Sequence, residues 1–232
     1  MKNNQSGNVL FYILIAVALL AALSFAAATS GRGNMSEVTD EKARIAASEI
    51  LDYANIVTNA VAQLRLRGVK QTDLCFDDPQ WPVAYNNPSC SDDATKIFHT
   101  SGGGITWAKV ASDAADLTAS PDNLWHIYGD NEIQDVGLTC GDASCAELIL
   151  VTDELRRAVC IKINDLLGIN NPGDVPPTDT DIGETQFIGT YGYAYTIGDE
   201  AGGSALRGKM GGCFQKTGGT PEYIFYKVLQ AR

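Results

Sequence analysis

Four acidic side chains crowd one loop of this chain, NPGDVPPTDTDIGE: Asp174, Asp179, Asp181 and Glu184. Alternating oxygens around a glycine turn suit a hard cation, and Ca2+ takes roughly six to eight such ligands. Asp179, Asp181 and Gly183 reproduce a fragment of the EF-hand spacing, without its later Glu. Asp179, Asp181 and Glu184 are therefore the candidate calcium ligands, set against the plainer alternative of a solvated acidic turn. No other cofactor is expected.

Six cysteines follow residue 70: Cys75, Cys90, Cys140, Cys145, Cys160 and Cys213. An even number on one side of an apolar N-terminal segment points to disulfides in an oxidising compartment. A zinc site fits less well, because CGDASC separates its cysteines by four residues and no second Cys or His pair has ligand spacing. Sequence alone permits 15 pairings of six cysteines. The local ones are favoured, Cys75 with Cys90 and Cys140 with Cys145, which leaves Cys160 for Cys213.

Tyr191, Tyr193 and Tyr195 alternate with small residues. On one face of a strand they would either line a core or stack on a sugar or a protein partner. Burial against a helix is the favoured alternative, with a binding role the other. The histidines are His99 and His126. Neither has a nucleophile at a recognisable spacing, and no G-x-S-x-G, phosphate-binding or dinucleotide-binding loop is present. The expectation is a protein that is not an enzyme.

These residues need elements to hold them. From Val9 to Ala28 the chain runs twenty residues without a charge. At about 1.5 Å per residue this reaches about 30 Å, the thickness of a bilayer core. A second helix is expected from Asn34 to Arg67, a stretch without Gly or Pro. Asn34 and Glu37 have capping-box spacing, and Gly68 supplies the stop. Ala43, Ala46, Ile50, Tyr53, Val57, Ala60 and Leu64 form its apolar stripe. Gly31-Arg32-Gly33 offers a break between the two helices.

Further on, the chain from Val69 to about Asn131 reads as irregular and polar. Ala146–Val151 reads as a buried strand, and a helix capped by Thr152-Asp153-Glu154 runs to Leu167 before Gly168. Thr185–Ile197, Met210–Gln215 and Glu222–Gln230 read as three strands, the last two joined as a hairpin through Gly218-Gly219. The fold class expected is α+β: a long N-terminal helix packed on a small antiparallel sheet. The domain reading is residues 8–30 as a transmembrane helix, 34–67 as an amphipathic stem and 68–232 as a globular head.

Charge sets limits on partners. The chain carries 17 Lys and Arg against 28 Asp and Glu, a net charge of −11, with no basic run. Nucleic acid is therefore not an expected partner, since phosphate contacts need clustered cations. Lys2 precedes the apolar run while Glu37, Asp40 and Glu41 follow it. The positive-inside bias then places the N-terminus in the cytoplasm, the lipid bilayer around the apolar helix and the head in the periplasm.

The short leader MKNNQSG ending in Gly7, the apolar run directly after it, the amphipathic stem and the cysteine-containing head together resemble type IV pilins and pseudopilins. The resemblance implies cleavage after Gly7, methylation at Asn8, and association with other pilin-like subunits through the N-terminal helix. It implies a bacterial inner-membrane protein that assembles into a pilus-like or secretion-pseudopilus-like filament, with a pilin-like fold. In the family the fifth mature residue is usually Glu; here it is Tyr12, as in some minor or tip subunits. Some pseudopilins hold calcium in a C-terminal loop, which is what Asp179, Asp181 and Glu184 would do here. The alternatives are a membrane-anchored periplasmic binding protein with an intact N-terminus, for carbohydrate or protein, and a secreted protein cut after Ala28.

Overall fold

A computed structural model describes residues 6–78, 87, 90–115, 125–219 and 222–232, with side chains in the first helix described at 11–19 and from 39 onward. Two compact units are present, the first ending at Lys42 and the second running Ala43–Arg232. Helix α1 is Ser6–Leu66. It is assigned across Gly31–Gly33, where an interruption was expected.

In the second unit α1 buries the expected stripe. Ala43, Ala46, Ile50, Val57, Ala60 and Leu64 are each at most 6% exposed, and Ala47, Ala54 and Val61 widen the stripe on the same face. Alanines dominate it, which lets the helix backbone lie close to its neighbours. Gly68 ends the helix at φ +92°, a conformation that costs glycine little.

The sheet has six strands: β1 His126–Ile133, β2 Glu147–Thr152, β3 Thr178–Asp179, β4 Tyr195–Ile197, β5 Gly211–Lys216 and β6 Glu222–Gln230. Their order is β3-β5-β6-β2-β1-β4. The four central strands pair antiparallel, whereas both edges are parallel: β3 with β5, and β4 with β1. The sheet is mixed and nearly closed, like a barrel. The expected pilin-like architecture, a helix on a small antiparallel sheet, is thereby corrected.

Near-closure explains why the strands are apolar on both faces. Outward side chains Ile127, Leu148, Leu150, Cys213, Phe225 and Leu229 join one core with the α1 stripe and with helix α2, Arg157–Leu167. Inward side chains Tyr128, Ile149, Val151, Phe214, Ile224, Tyr226 and Val228 form a second core. Each fully buried large apolar side chain contributes about 1.5–3 kcal/mol.

The reasons for the departures are local. β1 begins inside the stretch expected to be irregular, and its Asp130, Asn131 and Glu132 are at most 4% exposed. The strand expected over Thr185–Ile197 is strand only at Tyr195–Ile197. Before it, the chain is laid along β1 by amides: Phe187 N donates to Ile127 O, Gly192 N to Gly129 O and Ala194 N to Asp130 O. Helix α2 starts at Arg157, after Glu154 takes a positive φ of 51° and Leu155 pairs with Ala115. Gly168 caps it as expected, at φ +65°.

No helix among the described residues is long and apolar enough to cross a membrane. The transmembrane, single-pass inner-membrane placement is corrected accordingly.

Candidate functional site

The candidate calcium ligands do not converge as a set among the described residues. Asp179, on edge strand β3, is 4% exposed and faces inward. Its Oδ1 accepts from Thr180 N at 2.8 Å and its Oδ2 from Gly198 N at 2.7 Å. Burial pushes its carboxyl up to about 6, helped by the charges of Asp199 and Glu200 and opposed by the two amides. Asp181 and Glu184 instead meet Lys216, whose Nζ lies 3.0 Å from Asp181, 3.4 Å from Glu184 and 3.0 Å from Glu222. One ammonium sits where a cation between these carboxylates would sit.

The tyrosines are divided by the irregular approach to β4. Tyr191 is half-buried against Phe187, with ring centroids 5.1 Å apart. The Arg232 guanidinium lies 4.0 Å from its ring centroid, and its hydroxyl is buried without a hydrogen-bond partner. Desolvation pushes that hydroxyl up to about 12. Tyr193 and Tyr195 are 44% and 40% exposed. The shared strand face is therefore absent: one tyrosine packs half-buried against the core and two are surface.

His126 stacks on Tyr128 with centroids 5.6 Å apart, and burial holds its imidazole below the usual range against the pull of Asp153 and Glu184. His99 pairs with Asp93 at 3.5 Å on the surface. Gly7 and Asn8 fall within α1, but their side chains lie outside the described residues, as does the rest of the leader, residues 1–5. A cavity of about 210 Å³ lies between Tyr53, Lys109 and Trp125, smaller than the roughly 300 Å³ at which small-molecule pockets begin.

All three disulfides take the favoured pairing: Cys75–Cys90, Cys140–Cys145 and Cys160–Cys213. The last joins α2 to β5 inside the first core, beside Asn164. That amide accepts from Cys213 N at 2.9 Å and donates to Cys213 O at 2.8 Å.

The densest chemistry lies where the sequence drew no attention to it: two buried carboxyls below the Cys140–Cys145 loop. β1 carries Glu132 and β2 carries Glu147, both 0% exposed, on paired strands. Glu132 accepts from Cys140 N at 3.0 Å and Gly141 N at 2.7 Å, so it holds the start of the loop. Glu147 Oε2 accepts from Ile133 N at 2.8 Å, while its Oε1 is buried with no partner. Burial, with the Glu132 charge adding to it, pushes Glu147 up to about 7, despite the Ile133 amide and Arg232. One carboxyl thus accepts two loop amides, while its neighbour is pushed up by burial and has one oxygen without a partner. The loop above them is tied again by Arg232, whose Nη1 donates to Ala143 O at 2.9 Å. The sequence carried no periodic signal for the pair, since Glu132 follows a polar run and Glu147 opens a continuous apolar one, and buried acids are too rare to be read as core.

The fold and this site define a disulfide-stapled domain built on a two-faced mixed sheet. Comparison with protein-family models, curated proteins and solved structures finds no match for the chain.

Proposed function

We propose that this protein works by shape, as the structural subunit of a type IV pilus-like or secretion-pseudopilus-like filament whose copies join through their N-terminal helices. One observation carries the reading. Phe11, Tyr12, Ile13, Leu14, Val17 and Leu19 are 58–64% exposed in α1. At about 100° per residue, Phe11 to Leu14 alone point in four directions around the axis. A helix that is apolar all round seeks neighbours on every side, which a bundle of like helices supplies and a single partner does not. Three disulfides fit an oxidising compartment outside the cytoplasm, where such filaments are built. The support lies in the helix; the mixed sheet departs from the pilin pattern.

The test is the association state of the full chain, by light scattering and electron microscopy. The wild type is expected to form large or filamentous assemblies, and Val17→Glu to be monomeric with an unchanged far-UV spectrum. A monomeric wild type, or assemblies indifferent to that charge, would overturn the reading.

A second reading, a carbohydrate- or protein-binding head, is favoured by the exposed pair Tyr193 and Tyr195. Tyrosine offers a flat apolar face and a polar tip to such ligands. Glycan-array binding lost in a Tyr193→Ala, Tyr195→Ala variant would support it; an array without signal would dismiss it.

A further inference from the structure

We propose that Cys140–Cys145 is an exchangeable disulfide, a site at which a small or protein dithiol reversibly opens this protein without unfolding it. The inference is independent of filament assembly. It rests on three features that set this bridge apart from the other two.

The first is access. Cys140 is exposed, and its partner Cys145 is 2% exposed. By contrast Cys75, Cys160 and Cys213 are each 0% exposed and Cys90 is half-buried. A thiolate must approach a sulfur along the S–S axis, with the far sulfur leaving. Among the described cysteines, Cys140 is the one fully open to that approach.

The second is redundancy. The loop that the bridge closes is fastened without it. Glu132 holds the amides of Cys140 and Gly141, Arg232 holds Ala143 O, and Cys145 N donates to Asp142 O at 3.1 Å. Asp142 Oδ1 also accepts from Ser144 N at 2.7 Å. The two cysteines are only five positions apart in sequence, against 15 and 53 for the other bridges. A short loop gains least from closure, so opening it costs the fold least.

The third is charge. A carboxylate oxygen of Asp142 and both sulfurs lie within 4.8 Å of one another. An incoming anionic thiolate is repelled there, and a thiol carrying a positive group is drawn in.

The chemistry balances. The thiolate of a dithiol attacks Cys140 Sγ, the S–S bond breaks, and Cys145 leaves as a thiolate that takes a proton. The second thiol of the reductant, deprotonated, attacks the mixed disulfide and releases Cys140, which is protonated in turn. Two electrons and two protons pass to the protein, and the dithiol becomes a disulfide. An oxidised dithiol reverses the sequence.

The experiment titrates the native full chain with dithiothreitol, traps thiols by alkylation and locates them by peptide mass spectrometry. Cys140 and Cys145 are expected to be labelled at a reductant concentration at least about tenfold below that needed for the other four. Opening of either other bridge first, or of all three together, overturns the proposal. The Cys140→Ser, Cys145→Ser double variant is expected to keep the wild-type circular dichroism; loss of fold would make the bridge structural and overturn it. Cysteamine is expected to open the bridge several-fold faster than mercaptoacetate at equal thiolate concentration, with the ratio falling toward one in Asp142→Asn. Equal rates in the wild type would remove the electrostatic part of the argument.

Discussion

Asp179 Oδ2 accepts a hydrogen bond from Gly198 N at 2.7 Å, and through it one edge of the sheet, β3, is tied to the chain leaving the other edge, β4. The backbone adds Thr178 N to Gly202 O at 3.1 Å. A sheet edge left open is a template for pairing with another chain, so this carboxylate guards both edges at once. Asp179→Ala removes the acceptor and leaves two amides unmatched. A loss of about 2–3 kcal/mol is expected in urea unfolding, with increased aggregation during refolding.

Glu147 makes stability depend on pH in a direction opposite to that of a salt-bridged acid. Its folded value is pushed up to about 7 from an ordinary 4.5. The contribution is therefore fully present below about pH 4.5 and is lost as pH rises through about 7. Asp179 acts in the same sense from 3.8 to about 6. Glu147→Gln is expected to be more stable than wild type at pH 8 by roughly 1–2 kcal/mol, after allowance for solvent screening. The two are expected to converge at pH 4. Thermal melts across that range measure it, and a wild type that gains stability from pH 5 to 8 would contradict the assignment.

Lys216 meets two of the carboxylates of the acidic loop. Its ammonium is 15% exposed and draws together Asp181, Glu184 and Glu222. Desolvation lowers its own value, but the hydrogen bonds and charges of Asp181 and Glu222 outweigh that and raise it above the ordinary lysine range. Lys216→Met leaves like charges facing each other, and a fall of several degrees in Tm is expected. Millimolar Ca2+ should recover part of that loss in the variant and leave the wild type unmoved. A wild type whose Tm rises with Ca2+ would restore the calcium loop.

Gly129 carries the crossing of the 187–191 segment over β1. A Cβ there would stand 2.8 Å from Phe187 Cδ2 and 3.3 Å from Thr190 O. Gly129→Val should cost about 1–3 kcal/mol and perturb the near-UV signal of Tyr191. An unchanged melt would show that the segment yields freely.

Processing at Gly7 can be read from intact mass. The filament reading expects the mature chain to begin at Asn8, with or without one methyl group. A chain beginning at Thr29 would mean a secreted protein, and neither outcome touches the exchange of Cys140–Cys145.

Local chemistry was legible in the sequence wherever the information is itself local. The stem stripe from Ala43 to Leu64 follows from a 3.6-residue period, and Gly168 and Gly68 mark helix ends because few other residues adopt positive φ. The β5–β6 hairpin follows from two short apolar runs about a glycine pair, and the near cysteines pair with each other. What only the tertiary structure decided is everything held by partners far along the chain. Strand β1 exists because Gly183 satisfies Asn131, and the loop amides of Cys140 and Gly141 satisfy Glu132. A polar run becomes core only when its hydrogen bonds are met from elsewhere, and no period in the sequence records that. Likewise Thr185–Ala194 has a strand's alternation but is fastened to β1 as an irregular segment, so that Tyr191 is half-buried while Tyr193 and Tyr195 are exposed. The same rule applies to the acidic loop, where Asp181 and Glu184 meet a lysine more than thirty residues away in β5.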